Sequence, residues 1–306
     1  MSTKKQSKQP FVTIVEKACR LIPGFKELHH RIERKMSVLG KSHSTLDNYG
    51  RHLAHLALHY NCLPTGLDAE QIEDYLYYLK TDCNSPSESY FKFTVYGLRF
   101  AFRLEGLDDR IIELPELEKP KKLPVVLSRQ EMRAMLKAPQ LLKHRLVLGM
   151  LYGCGLRCGE LRNLHIADVD LDRGMVHVRQ GKGRKDRYVP LAEMLKRGIG
   201  KYLDAEQPDS WLFNGKDHHD IFSQRGVQWV VKEAAKRAGI KKRINVHTLR
   251  HTYATHLLED GMDIVTVKEL LGHVMIQTTM IYLHVAQSRH KAPFSPLDTL
   301  YKTDNK

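Results

Sequence analysis

The sequence contains little tryptophan and cysteine, and it lacks any long uninterrupted apolar run. Two Trp and five Cys occur among 306 residues, and the cysteines are odd in number and widely scattered. This pattern favours reduced thiols in a cytoplasmic protein over a disulfide framework. Apolar runs such as residues 146–152 are far shorter than the roughly 20 residues that cross a bilayer. We therefore expect a cytoplasmic protein with no membrane partner.

Acidic residues are scarce relative to basic ones. The chain has 49 Lys and Arg against 35 Asp and Glu, which gives a net charge of +14 and a pI near 9.5. The excess lies in residues 1–60, with 11 basic and 4 acidic side chains, and in residues 121–306, with 32 and 19. Residues 61–120 are acidic, with 6 and 12. This charge indicates a polyanionic partner, with nucleic acid ahead of an acidic membrane surface.

Prolines mark the clearest division of the chain. Residues 113–124, ELPELEKPKKLP, place three prolines among charged side chains, which is typical of an extended linker. Before it, residues 1–19 are basic and polar, without the apolar stretch of a signal peptide. The predicted parts are a disordered basic leader (1–19), a smaller domain (20–114), a linker (115–124), a larger domain (125–290) and a C-terminal tail (291–306).

The smaller domain has the apolar spacing of helices. Apolar residues recur at helical intervals over 44–60 and 68–80, and residues 89–103 are rich in Phe and Tyr. We interpret these aromatic residues as helix core rather than as platforms for base stacking. Three or four amphipathic helices would form a small bundle with exposed Lys and Arg.

The larger domain is predicted to be mainly α with a small antiparallel β-sheet. Ser128 and Glu131 have the spacing of a capping box, ahead of a helix to about residue 137. Residues 175–179 and 187–189 read as two strands of a hairpin around the turn QGKGRKD. Further helices are predicted at 144–152, 191–204, 227–238, 247–259, 264–271 and 278–285.

Four motifs of the larger domain occur in a fixed order: GLRCGEL, GKGRKDRYVPL, HTLRHTYATHLLEDGMDIVTVKELLGH and TTMIYLHV. Together they resemble the motif series of the tyrosine recombinases, the phage integrase family, over about residues 123–285. The resemblance implies a two-domain DNA clamp, in which a helical, SAM-like core-DNA-binding domain precedes the catalytic domain. It also implies site-specific recombination of double-stranded DNA without a metal, ATP or another cofactor.

Six positions match the catalytic pattern of that family: Arg157, Lys182, His247, Arg250, His273 and Tyr282. The resemblance implies that Tyr282 attacks a phosphodiester and forms a 3′-phosphotyrosyl bond, which releases a 5′-hydroxyl. Because this ester keeps the energy of the broken bond, religation needs no ATP. The family pattern further implies a homo-tetramer that acts on two duplexes and exchanges strands through a Holliday junction.

The chemistry of these residue types supports the same assignment. Arg157 and Arg250 present charged planar forks that suit the non-bridging phosphate oxygens. A free phenol titrates at about pH 10, so Tyr282 needs a base or a strongly positive site. We expect His247 to take its proton.

Two further side chains complete the predicted chemistry. His273 is expected to donate a hydrogen bond to the phosphate or to the attacking oxygen. Lys182, at the hairpin tip, is expected to protonate the 5′ leaving oxygen, with Lys185 as its rival. Glu160 and Asp168 are expected to play supporting roles, and Glu160 is close enough in sequence to orient an arginine.

Several alternatives accompany this interpretation. Tyr253 is a rival nucleophile, although core packing explains it well. His247 and His251, four residues apart, could share a metal ion, but no carboxylate completes a zinc site. A DNA-binding regulator without chemistry is a second function, and a type IB topoisomerase is a third. All six catalytic positions carry the residue that the family pattern has there, which argues against the regulator. The separate N-terminal domain and the tail favour recombination.

The subfamily is less clearly indicated than the family. The motif spellings and the SPLD tail are similar to those of integron integrases, yet the short stretch between Trp211 and His247 lacks their long insertion. The DNA target, the biological role and any accessory proteins stay open.

Overall fold

The protein forms two units, Met1–Pro120 and Lys121–Lys306, each with an apolar core of its own. A computed structural model describes residues 12–81, 88–110, 112, 123–179, 186–215 and 219–286. Most of the predicted linker and all of the predicted tail lie outside these ranges. Among the described residues, no helix has the length and apolarity needed to cross a membrane.

The described part of the N-terminal unit is helical. Its helices are α1 (Ile14–Leu21), α2 (Phe25–Val38), α3 (His43–Tyr60), α4 (Ala69–Thr81) and α5 (Glu88–Leu104). Helix α3 packs against α1, α2 and α5, and its Leu53 and Leu56 are buried together with Leu98 of α5. The three helices predicted from apolar spacing correspond to α3, α4 and α5. Phe91 and Phe102 of α5 are buried, as the core interpretation predicted.

The predicted disordered leader extends too far into the chain. Helix α1 begins at Ile14, because Thr13 and Glu16 form a capping box. Thr13 Oγ1 accepts from the Glu16 amide at 3.2 Å, and the Glu16 carboxylate accepts from the Thr13 amide at 2.7 Å. These bonds satisfy two amide groups that a helix start leaves unpaired. The prediction of disorder is therefore wrong for residues 14–19, while residues 1–11 lie outside the described ranges.

The C-terminal unit is built around α7, which is buried at six consecutive positions from Leu146 to Leu151. Helices α6, α8, α9, α10 and α11 all pack against it. The helices of this unit are α6 (Arg129–Lys137), α7 (Leu142–Gly153), α8 (Cys158–Arg162), α9 (Glu193–Glu206), α10 (Gln224–Arg237), α11 (Val246–Glu259), α12 (Ile264–Leu271) and α13 (Gln277–Met280). The capping box predicted at Ser128 and Glu131 is confirmed at the start of α6.

A small antiparallel sheet lies beside these helices. Its strands are β1 (Val169–Asp170), β2 (Met175–Val178) and β3 (Arg187–Pro190), in that order. Strands β2 and β3 pair with Val176 opposite Val189, which confirms the predicted hairpin. The turn that joins them, residues 180–185, lies outside the described ranges. The mainly α fold with a small sheet is therefore as predicted.

The last predicted helix is shorter than expected. Helix α13 ends at Met280, and turns continue to residue 286. The amides of Tyr282 and Leu283 donate to carbonyls three residues earlier, at 3.0 and 3.1 Å, instead of four residues earlier as in an α-helix. The prediction of a helix over 278–285 is therefore wrong beyond Met280, and Tyr282 lies in a turn.

Candidate active site

Arg157 is held by the residues on either side of it. The preceding Gly155 has φ +59°, and a Cβ there would lie 2.4 Å from Tyr253 Cδ1, so only glycine fits. Arg157 then caps α8, where the Glu160 carboxylate accepts from its amide at 2.8 Å and from its Nη1 at 2.6 Å. The predicted orienting role of Glu160 agrees with these two bonds. Arg157 stays partly exposed and available to a substrate.

Arg250 lies deeper than Arg157. It is 2 % exposed on α11, and its guanidinium donates to the carbonyls of Gly155 and Leu271. Burial, and then the charge of Arg157, lowers the pKa of Arg250 to about 9. Arg250 is therefore still charged at neutral pH. It also lies 3.8 Å from Glu160 Oε2, so one carboxylate is shared by both predicted clamp arginines.

Tyr282 is buried, at 2 % exposure, and its hydroxyl oxygen lies 2.9 Å from His251 Nδ1. Burial raises the pKa of Tyr282, and the charges of Arg250 and Arg157 oppose that rise. Burial also lowers the pKa of His251 to about 4, with His247 and Arg250 contributing. At neutral pH the His251 imidazole is uncharged, and its Nδ1 can accept the phenol proton.

The predicted partner of Tyr282 was His247, and here the structure differs. His247 is exposed in the first turn of α11, and its ring centroid lies 6.3 Å from that of His251. Partial desolvation of its ring, followed by the charges of Arg250 and Arg157, lowers the pKa of His247. The histidine in contact with the phenol is thus His251. The sequence did contain a signal for His251, because this histidine directly follows Arg250 in the HTLRH motif.

His273 faces the same tyrosine from the end of α12. Its ring lies nearly parallel to that of Tyr282, with centroids 6.4 Å apart. Its Nδ1 lies 2.9 Å from Thr279 Oγ1, which fixes the ring. Burial and the charges of Arg250 and Arg157 lower the pKa of His273 to about 3. A neutral His273 can present a single N–H to a phosphate.

The structure thus brings together five of the six predicted site residues: Arg157, His247, Arg250, His273 and Tyr282. Lys182 and its rival Lys185 lie outside the described residues. Asp168 is buried but contacts His165 and Arg179 instead of the arginines of the site. Tyr253 packs against Gly155, and burial raises its pKa to about 12.

Sequence reasoning missed two side chains here. One is His251, and the other is Arg187 of β3, which binds both oxygens of Glu160. No group of three or more His, Cys, Asp or Glu side chains within the described ranges could hold a metal ion. The site is therefore assembled from arginine, histidine and tyrosine, with Glu160 as its acidic member.

Buried neutral histidines predict a fold that is sensitive to acid. The pKa values of His52, His251 and His273 are lowered to about 4, 4 and 3, mainly by burial. In the unfolded chain a histidine titrates at about 6.5, so the unfolded state takes up protons first as the pH falls below that value. The stabilisation that these neutral histidines contribute is therefore fully present above pH 6.5 and is lost as the pH falls toward 4. Urea unfolding at pH 5.0 should give a free energy at least about 2 kcal/mol below that at pH 7.5; equal values would contradict the neutral histidines.

The chain is similar to known proteins over most of its length. The phage integrase family model matches residues 126–289. Tyrosine recombinase XerA of Thermococcus kodakarensis is 40% identical over 219 residues, which cover 68% of this chain and 77% of the relative. A crystal structure of XerA recombinase matches with a TM-score of 0.52 and 29% identity, over 88% of this chain and 99% of that one.

A more distant structure shares the fold. The integrase of transposon Tn1549, solved in complex with transposon right end DNA, matches with a TM-score of 0.64 at 18% identity, over 83% of this chain and 94% of the other. The family match covers more than half of the 306 residues and includes every described site residue. The chain therefore belongs to the phage integrase family.

Proposed function

We propose that this chain is a site-specific DNA recombinase in which Tyr282 cleaves and rejoins DNA strands. The observation that carries the proposal is the grouping of Tyr282 and His251 with Arg157 and Arg250 in one unit. A nucleophile, a proton acceptor and two cations suit phosphodiester cleavage without a metal. Its relatives are named as tyrosine recombinases, which supports the same reaction.

The reaction begins with a proton transfer. The Tyr282 hydroxyl, which lies 2.9 Å from His251 Nδ1, transfers its proton to that nitrogen while the phenol oxygen attacks the phosphorus. The bond from phosphorus to the 5′ oxygen breaks, and the product is a 3′-phosphotyrosyl ester. Arg157 and Arg250 stabilise the charge on the non-bridging oxygens, and His273 donates to one of them. Lys182, whose role stays a prediction, protonates the 5′ oxygen.

The partners follow from the same assignment. We propose double-stranded DNA as the substrate, since a protein of the same fold has been solved on DNA and the net charge is +14. Contacts to phosphates would make the affinity steeply dependent on salt. We further propose that four protomers assemble on two duplexes, and that the protein acts in the cytoplasm, where it meets DNA.

Covalent trapping tests the proposal. Duplexes selected by binding from a random pool are resynthesised with a nick near each candidate cleavage site, so that the short 5′-hydroxyl fragment diffuses away. A recombinase accumulates a protein–DNA adduct that survives denaturation and yields tyrosyl DNA after proteolysis. Binding without an adduct would favour the regulator, whereas relaxation of supercoiled plasmid without Holliday junctions would favour a topoisomerase.

Separate substitutions of His247 and His251 should distinguish the roles of the two histidines. His251→Gln removes the acceptor that lies 2.9 Å from the phenol, so we expect single-turnover cleavage to fall by about 100-fold or more. His247→Gln keeps that acceptor, and its adduct should form faster than that of His251→Gln at every pH from 6 to 9. The reverse order would restore His247 as the base.

A further inference from the structure

Arg187, the first residue of β3, joins three separate elements of the C-terminal unit. Its Nη1 and Nη2 donate to the two carboxylate oxygens of Glu160 at 3.0 and 2.8 Å. Its Nε donates to the Leu270 carbonyl at 2.8 Å. The side chain is 9 % exposed. One guanidinium therefore links the sheet to helix α8 and to the end of α12.

Glu160 is surrounded by donors once Arg187 is in place. Its Oε1 accepts from Arg157 Nη1 as well as from Arg187, and its Oε2 accepts from the Arg157 amide as well as from Arg187. Each oxygen thus accepts two hydrogen bonds, which is the capacity of an ionised carboxylate. Because Glu160 fixes both the backbone and the guanidinium of Arg157, whatever fixes Glu160 also sets the direction in which Arg157 points.

Three arginine side chains donate hydrogen bonds to three consecutive backbone carbonyls at the end of α12. Arg187 donates to Leu270, Arg250 to Leu271, and Arg157 to Gly272 at 3.4 Å. The last carbonyls of a helix lack partners within the helix and carry its negative partial charge, so cations suit them. A Cβ at Gly272 would lie 3.1 Å from Arg187 Nη1, so glycine allows this close approach. The next residue along the chain is His273.

We propose that Arg187 is a positioning residue for strand cleavage, which holds Glu160 and the end of α12 so that Arg157 and His273 face the phosphate. The proposal rests on the function proposed above. Arg187 acts through these neighbours, because its donors are directed at Glu160 and Leu270 and its side chain is buried. Its removal should therefore reduce the rate of cleavage and leave the affinity for DNA nearly unchanged.

The test compares Arg187→Gln and Arg187→Lys with a matched control in the same hairpin. Arg179 also pairs with a buried carboxylate, that of Asp168, so Arg179→Gln removes an ion pair of the same hairpin away from Glu160, from an arginine that is 57 % exposed. Single-turnover adduct formation on the nicked duplex, DNA affinity and thermal unfolding are measured for each. We expect Arg187→Gln to cleave about 30- to 100-fold more slowly with affinity within about 3-fold, because a displaced group costs rate. Arg179→Gln should stay within about 2-fold of the wild type in rate.

The dependence of the rate on pH separates positioning from loss of stability. Bonds from Arg187, followed by those from Arg157, hold the pKa of Glu160 at about 2 in spite of its burial. Other charged or titratable groups also act on this cluster: Arg250, His247 and Tyr253 of α11, His273 after α12, Cys154 after α7, and Tyr282. Without Arg187 the pKa of Glu160 rises, so the rate deficit of Arg187→Gln should grow as the pH falls from 8 to 5.5. Arg187→Lys keeps the positive charge but lacks the planar pair of donors that binds both oxygens of Glu160. Compared with Arg187→Gln, it should therefore recover part of the cleavage rate and most of the wild-type pH profile.

Each outcome is decisive. A wild type that forms no adduct refutes the proposed function and this inference together. Equal rates for the wild type and Arg187→Gln, or equal losses for Arg187→Gln and Arg179→Gln, refute the inference alone. A loss of cleavage rate that is proportional to the fraction of unfolded protein, and that does not change with pH, would also overturn the inference. Arg187 would then contribute only to stability.

Discussion

Tyr282→Phe should bind DNA as the wild type does and form no covalent adduct. The substitution removes the single oxygen that becomes the phosphotyrosyl bond and keeps the ring that packs beside His273. The lost hydrogen bond to His251 should cost only about 1 kcal/mol of stability. Adduct formation on the nicked duplex, read by denaturing electrophoresis, should fall below detection. Binding measured by a mobility shift should change by less than about 2-fold.

Tyr253→Phe is the matched control for that experiment. Tyr253 is a second buried tyrosine of the same unit, 6 % exposed and packed against Gly155. Its variant should form the adduct at nearly the wild-type rate. An adduct that persists in Tyr282→Phe and disappears in Tyr253→Phe would exchange the two assignments, and tyrosyl peptides recovered from the wild-type adduct would identify the residue directly.

Arg250→Lys should lower the cleavage rate by about 100- to 1000-fold, the loss that follows removal of one preorganised donor from a transition state. The guanidinium of Arg250 donates to Gly155 and Leu271 simultaneously. A lysine keeps the charge but cannot hold both carbonyls and still present a fork to phosphate. The measurement is the single-turnover rate at saturating protein, with DNA affinity determined separately.

Arg129→Lys provides the comparison for Arg250→Lys. Arg129 is exposed at the start of α6 and pairs with Asp260, so the same exchange there should leave the rate within about 2-fold, as expected of a surface ion pair. If Arg250→Lys weakened DNA binding as much as cleavage, Arg250 would contribute uniform binding and not stabilisation of the transition state.

Local signals allowed much of the fold to be predicted. The helices α3, α4 and α5 have regular apolar spacing, and α6 begins at a capping box of adjacent residues. The start of α1 had the same kind of signal in Thr13 and Glu16. It was missed because the basic residues before it favoured disorder. Helix α13 was predicted too long, since apolar spacing does not distinguish an α-helix from successive tight turns.

Five residues that the sequence suggested for the site lie together in the structure, but the contacts of that cluster with His251 and Arg187 were not predicted. Order and spacing along the chain identified Arg157, Arg250 and Tyr282, because family motifs preserve sequence order. The contact between His251 and Tyr282 joins residues 31 positions apart, and that between Arg187 and Glu160 joins residues 27 apart. Such pairs depend on how α11, β3 and the final turns pack, which local patterns do not specify.

The stacking of Tyr282 on His273 and its bond to His251 also bear on which polypeptide would supply the proposed nucleophile. All three residues belong to a single chain, as do the arginines beside them. Under the proposed function, the described residues of each active site then come from one chain, and we expect each protomer to cleave the strand that it holds. In a mixed assembly, subunits lacking the phenol and subunits lacking Arg250 could not complement each other, because no site would contain both groups.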